Sequence, residues 1–439
     1  MNAHEHVVLI DQYGWRRYRH PDGEPFLDPA RYDVTLITPA GKADEPGPGE
    51  VRAVLTVDPT DTGALTAAVC EVSAGRPVDR LLAVSERHLM PAARVRDALG
   101  LPGPSLRQML PFVDKVAMKD LLGARGIPVP DYMPVARPAD AAPLLRRHGR
   151  ILFKPRSAQG AVGVRVVSGP AELDALDAAG FSHPGPYEAE QFIAGDMFHV
   201  DAVAERGRVL LALASGYLEP TDAYLTGTPR RSVNLDPGTL RDALLEFNAR
   251  MIAAFPWFSG ATHAEMFRDR DGRLVLCEIG GRPGGGGIIP AFQNSHRIDL
   301  CAAALLPQLD LPMPPIRPVA APDRASSGWV ILYADPRLLP GMLTAVNGVP
   351  EADWVVAAKL RKEPGKVLNP PAMSGDGVMV VTVCGPDAAR VTERLDEVAG
   401  SVTTRVGPPP APPGPAGTED RGGSGDRSRS SGTGARARG

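Results

Sequence analysis

Short apolar runs alternate with stretches of helical period through the first hundred residues. Residues 7–10 (VVLI), 33–38 (DVTLIT), 51–57 and 80–84 read as strands, and residues 62–73 and 91–99 read as helices between them. That alternation predicts a doubly wound, parallel α/β sheet over residues 1–103. The first turn, residues 11–14 (DQYG), has no GxGxxG, so it is not a dinucleotide site. Ser85 and Glu86 follow the fourth run, where ligands bind in open sheets; for Ser85 alone, a helix N-cap is the commoner role.

The pattern changes after residue 104. Residues 113–123 form an amphipathic helix with Lys115 near its start, and a lysine there is ordinarily just solvated. Residues 151–153 and 164–167 read as paired strands. Lys154 closes the first, and the link between them is rich in small residues, including Ser157, Gly160 and Gly163. Such a link can fold its N–H groups over a phosphate chain, or it can be an ordinary flexible loop. Residues 187–203 make two extended runs that turn at Gly195-Asp196; the first carries Glu188, Glu190 and Phe192, and His199 and Asp201 share a face of the second. A helix over 239–255 buries Leu240, Leu244, Met251 and Phe255. Residues 307–322 read as a Pro-rich linker. Strands at 328–333, 354–360 and 377–384 and a helix at 386–399 follow, as a small α+β unit. Residues 407–439 lack apolar periodicity and read as a disordered, solvated tail, basic over 421–438.

One hairpin, residues 262–287, stands out. Asp271-Gly272 between two alternating runs predicts a two-residue turn, with partner numbers summing to 543. Glu265 then faces Glu278. His263, Glu265 and Phe267 share a face with Leu276, Glu278 and Gly280, while Met266 and Cys277 point into the core. Opposed carboxylates start about 5 Å apart and repel. A divalent cation reverses the sign, because Mg²⁺ takes one or two carboxylates and leaves its other positions to water and phosphate. The alternative is an exposed hairpin whose glutamates splay into water. Gly280-Gly281-Arg282-Pro283 and four more glycines come next, a backbone-rich stretch with one fixed cation, suited to a phosphate or a charged intermediate.

Composition narrows the partners. With 439 residues there is room for two or three domains, and a net charge of −3 gives no reason to expect nucleic acid. Cys70, Cys277, Cys301 and Cys384 have no metal-ligand spacing and predict reduced thiols in the cytoplasm. No apolar run reaches membrane-spanning length, and a soluble protein is expected.

The ordered set of Lys115, Lys154 with its small-residue loop, Glu190-Gln191-Phe192-Ile193, Glu265, Glu278 and Arg282 resembles the ATP-grasp superfamily, over the chain up to about residue 406. It looks most like the amino-acid and dipeptide (carboxylate–amine) ligases, which the His199/Asp201 and His263/Glu265 pairs also fit. The resemblance implies the following. The fold is an ATP-grasp fold: an N-terminal parallel domain (1–103), ATP-binding subdomains at 104–186 and 187–310, and a C-terminal α+β lid at 311–406. Lys115 and Lys154 hold ATP phosphates under the loop carrying Ser157, Gly160 and Gly163. Glu190 accepts from the adenine amino group, and the backbone of Phe192 and Ile193 reads the ring edge. Phe267 and Leu276 wall the adenine slot. Glu265 and Glu278 bind Mg²⁺ (or Mn²⁺), and Arg282, with Lys154, stabilises the transferring phosphoryl group.

Two departures stand out. The family's acidic ribose contact falls on Met197, so either Asp196, one residue early, substitutes through a shifted turn or the contact is lost, and an Asn usual two residues after the second metal glutamate is Gly280. His263, Tyr217 and Arg231 are candidate substrate contacts, although packing is the commoner role for the last two. The activity implied is ADP-forming ligation of an amino acid or small carboxylate to an amine through an acyl phosphate. The alternatives are transfer to a carrier-protein thiol and a non-catalytic ATP-binding protein. A homodimer is the default assembly for such a chain.

Overall fold

Val7 and Leu9 face one side of the first strand and Val8 and Ile10 the other, and all four are fully buried. A strand apolar on both faces belongs in the middle of a parallel sheet. The computed structural model, which describes residues 4–19, 23–220, 222–314 and 322–408, places it there. The strand order is Ala53–Leu55, Tyr32–Ile37, Glu5–Ile10, Arg80–Ala83, with every pair parallel. Helices Thr62–Gly75 and Glu86–Leu99 cover one face through Leu65, Val69, Ala92 and Val95. The second helix starts five residues before the expected position and carries Pro91 inside it. The other face packs on helices Ile288–His296 and Leu300–Leu305. Arg17–Asp299 (3.1 Å) and Arg80–Asp310 (2.9 Å) fasten the same junction.

A four-stranded antiparallel sheet follows, ordered Tyr132–Val135, Tyr187–Gln191, Ile151–Pro155, Arg165–Val167. Ile151, Phe153, Tyr187 and Ala189 point to one face and are buried under helices Ala142–His148 and Pro170–Ala179. Alternation sends Lys154, Glu188 and Glu190 to the opposite face.

The largest sheet has eight strands, ordered Leu274–Gly280, Gly260–Asp269, Gly195–Glu205, Arg208–Tyr217, Arg230–Asn234, Ser326–Leu332, Met379–Gly385, Val355–Leu360. Helix Thr239–Ile252 covers one face through Leu244, Phe247, Met251 and Ile252. The last three strands extend the sheet that carries the glutamate hairpin, so the C-terminal part is joined to the central sheet by continuous hydrogen bonding. A small sheet, Val367–Leu368, Gly341–Asn347, Thr403–Gly407, is attached to it. The expected linker at 307–322 begins as helical turns through Leu309, and its residues 315–321 lie outside the described residues, as does the tail from 409.

The hairpin reaches its expected register by an unexpected route. Asp269 N–H donates to Arg273 O, which closes a three-residue loop, with Gly272 at φ +80°. Partner numbers therefore sum to 542 at Arg268–Leu274, Phe267–Val275 and Met266–Leu276. A bulge at Cys277 then restores 543, and Glu265 pairs with Glu278. The two one-residue slips cancel at the carboxylates but not between them. Leu276 is carried to the core face beside Met266, fully buried, and does not wall the adenine slot. Val275 takes its place opposite Phe267. Cys277, expected in the core, is half-buried and lies near Lys154, Glu265 and Glu278. Leu276→Ala is accordingly expected to cost about 2–5 kcal/mol in urea unfolding while leaving nucleotide affinity in the folded fraction unchanged.

Candidate active site

Helix Lys115–Gly123 lies against both sheets. Its N-cap Asp114 accepts from the N–H groups of Val116 and Ala117 and pairs with Arg156 (2.7 Å), which ties the helix to the start of the glycine loop. Lys115 Nζ donates to Ala158 O (2.7 Å) and lies 3.3 Å from Glu278. One turn on, Lys119 is fully buried and pairs with both Glu188 (2.6 Å) and Glu190. Lys154 completes the group, 2.7 Å from Glu190 and 3.7 Å from Glu188. Two lysines thus balance two glutamates, all four of them buried. Burial disfavours the charges on Lys154 and Glu190, yet mutual attraction holds Lys154 above its ordinary value and Glu190 below its own. Glu188 Oε2 remains buried with no hydrogen-bond partner.

The loop above is built from left-handed backbone: Gly160 (φ +64°), Ala161 (φ +63°) and Gly163 (φ +70°). A Cβ on Gly163 would meet Pro155 and Tyr187 at 2.9 Å. Ser157 is exposed at its start.

Glu265 and Glu278 face each other across the hairpin. Glu265 accepts from Tyr217 OH (2.6 Å) and lies 3.5 Å from His263 Nε2 and 3.6 Å from Arg230. Burial raises the Glu265 pKa, but His263, Arg230 and Tyr217 together hold it well below the usual carboxylate range. Behind it, Asp201 accepts from Nδ1 of both His199 (2.7 Å) and His263 (2.9 Å), and Ser232 Oγ meets His199 Nε2 (2.8 Å). His263 is raised to about 9: burial lowers it, and Asp201 and Glu265 outweigh that. It therefore stands as an imidazolium between two carboxylates at neutral pH, while burial keeps His199 low. Asp201 has both oxygens committed to ring nitrogens, so this buried trio supports Glu265 by hydrogen bonding. The opposed glutamates, with oxygen donors only and 12% and 28% side-chain exposure, fit a Mg²⁺ or Mn²⁺ ion better.

Arg282 lines the same cleft as Lys115, Glu278 and Gly280. Its Nε donates to Glu86 (2.5 Å), from the carboxyl end of the parallel sheet. Burial works against its charge, but Glu86 raises its pKa further. The glycines after it are needed for close approach: a Cβ on Gly284 would lie 2.5 Å from Asp201, and one on Gly287 2.2 Å from Trp329.

Three sequence expectations are corrected here. Asp196 pairs with Arg268 and shares the face of Phe198 and Val200, opposite to Glu265 and Phe267, so it does not replace the ribose contact. Met197, beside Phe267, occupies that face. Arg231 points away from the site to Glu219 and Asp396, because neighbouring residues on a strand alternate faces. Arg230 takes the inward position. Phe192 N–H is committed to Arg150 O, and the Arg150 guanidinium covers its ring at 3.8 Å, so this N–H is not free for a base. Ile193 lies half-buried in the link between the two sheets.

Lys119, Glu188, Glu86 and Arg230 were not assigned site roles from sequence. Two spacings pointed to them: Lys119 is one helical turn from Lys115, and Glu188 is two residues from Glu190 on the same strand face. Lys119→Met is expected to cost about 3–5 kcal/mol in urea unfolding, and the added change Glu188→Gln to recover much of that loss.

Comparison with known proteins agrees with this fold. Residues 32–103 match the ATP-grasp N-terminal domain and residues 338–407 match the L-amino acid ligase C-terminal domain 2. An L-arginine-specific L-amino acid ligase of Bacillus subtilis is 28% identical over 261 residues, a stretch that covers 56% of this chain and 62% of that protein. The L-amino acid ligase of Bacillus licheniformis has a similar structure, with TM-score 0.71, 20% identity, and coverage of 92% of this chain and 99% of that one. The N5-carboxyaminoimidazole ribonucleotide synthetase of Thermotoga maritima has TM-score 0.64 at 14% identity, covering 91% and 99%. On these matches, the chain has an ATP-grasp fold and is similar to the L-amino acid ligases.

Proposed function

We propose that the chain is an ADP-forming carboxylate–amine ligase, which joins an amino acid or small carboxylate to an amine. The observation that carries this reading is Glu265 facing Glu278, with Lys115 and Arg282 in the same cleft. Lys115 and Lys154 hold the triphosphate of ATP under the loop of Ser157, Gly160 and Gly163. Glu190 accepts from the adenine amino group while Lys119 keeps it charged and in place. Phe267 and Val275 form the apolar wall. Bound at Glu265 and Glu278, Mg²⁺ supplies neutralisation of phosphate charge.

Arg282, aimed by Glu86, takes the oxyanion of the transferring group. A carboxylate oxygen attacks the γ-phosphorus, a C–O–P link forms, and the bond to the β–γ bridging oxygen breaks with its electron pair left on ADP. The amine nitrogen then attacks the carbonyl carbon, phosphate departs with the C–O electron pair, and the nitrogen gives up its proton to the departing phosphate. Positioning and charge neutralisation perform the work, so no protein nucleophile is needed. Four free cysteines are in keeping with a cytoplasmic setting, and among the described residues no helix is long and apolar enough to cross a membrane.

The test is ADP and phosphate release over a panel of amino acids, with mass detection of the amide. Stimulated release by particular pairs is expected; ATP binding without release from any pair contradicts the proposal. Glu278→Gln is expected to lower turnover about 10²–10³-fold, with its melting temperature near that of the wild type.

A further inference from the structure

Arg230 has no role in the reading above, yet it lies beside Glu265. Its side chain is 12% exposed and lies 3.6 Å from Glu265. The guanidinium rests over the Tyr217 ring at 4.4 Å, and NH1 donates to Ser374 Oγ (2.9 Å). Its Nε is buried and has no hydrogen-bond partner. A buried, unpaired N–H on a charged group is costly unless something arrives to accept from it. Attraction to Glu265 and Glu278 helps keep the group charged in spite of burial.

The residue that steadies Arg230 also reaches the nucleotide loop. Ser374 lies in a turn of the C-terminal part, and its N–H donates to Gly160 O (3.0 Å). Its carbonyl accepts from Tyr333 OH (2.6 Å), and Met373 packs where a Cβ on Gly160 would lie, 3.0 Å away. One turn therefore holds the loop with its backbone and a cation with its hydroxyl.

We infer that Arg230 is a second oxyanion-binding guanidinium of the transfer site, held by the Ser374 turn when that turn engages the glycine loop. It meets the phosphoryl oxygens from the Tyr217–Glu265 side, while Arg282 acts from the Glu86 side. The inference deepens the ligase reading and rests on it for the identity of the transferred group. During attack by the carboxylate, charge grows on the phosphoryl oxygens. Arg230 Nε–H donates to one of them, with no proton transfer and no bond made to the protein. Arg230 is thus a catalytic residue and Ser374 a positioning residue, because the serine acts only through Arg230.

The experiment uses the full chain as wild type, Arg230→Gln, Arg230→Lys and Ser374→Ala. Binding of ADP alone and of ADP with orthovanadate, which mimics the phosphoryl group in flight, is measured beside amino-acid-dependent ADP release. The expected result for Arg230→Gln is about a 10²-fold loss in kcat and in the vanadate-dependent gain in ADP affinity. ADP alone should bind within about threefold of wild type, because that complex lacks the developing charge. Arg230→Lys should recover part of the loss, since it keeps the charge and loses the fork. Ser374→Ala keeps the N–H bond to Gly160 and should lower kcat about tenfold, with KM for ATP unchanged.

The inference is overturned if Arg230→Gln retains the vanadate gain. It is equally overturned if that variant loses ADP binding and melting temperature in parallel, which marks a packing role. A wild type that binds ADP–vanadate tightly yet ligates no amino-acid pair sinks the ligase reading, and the vanadate comparison still decides for or against Arg230.

Discussion

Two like charges held opposite each other govern this molecule. Glu265 and Glu278 occupy facing positions on neighbouring strands, where their repulsion must be offset by cations. The surrounding groups meet that requirement from four directions: Lys115 from a helix start, Arg230 from a strand three places along the same sheet, the His263 imidazolium from the strand of Glu265, and Arg282 from the glycine turn. Each comes from a different element, so the site exists only once all the sheets are assembled. The Lys119–Lys154–Glu188–Glu190 group repeats the arrangement in the smaller sheet with its charges already balanced. A cleft lined on both sides by opposed ions is ready for a highly charged substrate, which exchanges one set of partners for another rather than leaving water for an apolar wall.

Much of this was legible in the chain because it depends on local period. The parallel sheet, the pairing of Ile151–Pro155 with Arg165–Val167, and the glutamate hairpin all follow from alternation. The register at Glu265 was anticipated, although the route to it was not. A type of loop and a bulge each shift the count by one, and no composition rule separates Asp271-Gly272 in a two-residue turn from the same pair in a three-residue one. That ambiguity sent Leu276 to the wrong face on paper.

Other misses came from partners distant in sequence. Arg230 and Arg231 are indistinguishable until the strand is placed, since one step along it exchanges cleft for surface. Glu86 meets Arg282 across 196 positions. The C-terminal strands read as a small α+β unit packed on the core, and nothing in their own sequence records that Ser326–Leu332 pairs with Arg230–Asn234.

That pairing also limits how the molecule can move. Eight strands bonded edge to edge resist bending, so the hairpin, Arg230 and the C-terminal strands move together as a block. The four-stranded sheet bearing Lys154 and the glycine loop is joined to this block through short links such as residues 192–194, which have no regular structure. A swing of the smaller sheet away from the larger, like a jaw on a fixed skull, would have to part Ser374 from Gly160, which makes that backbone bond a latch between the two.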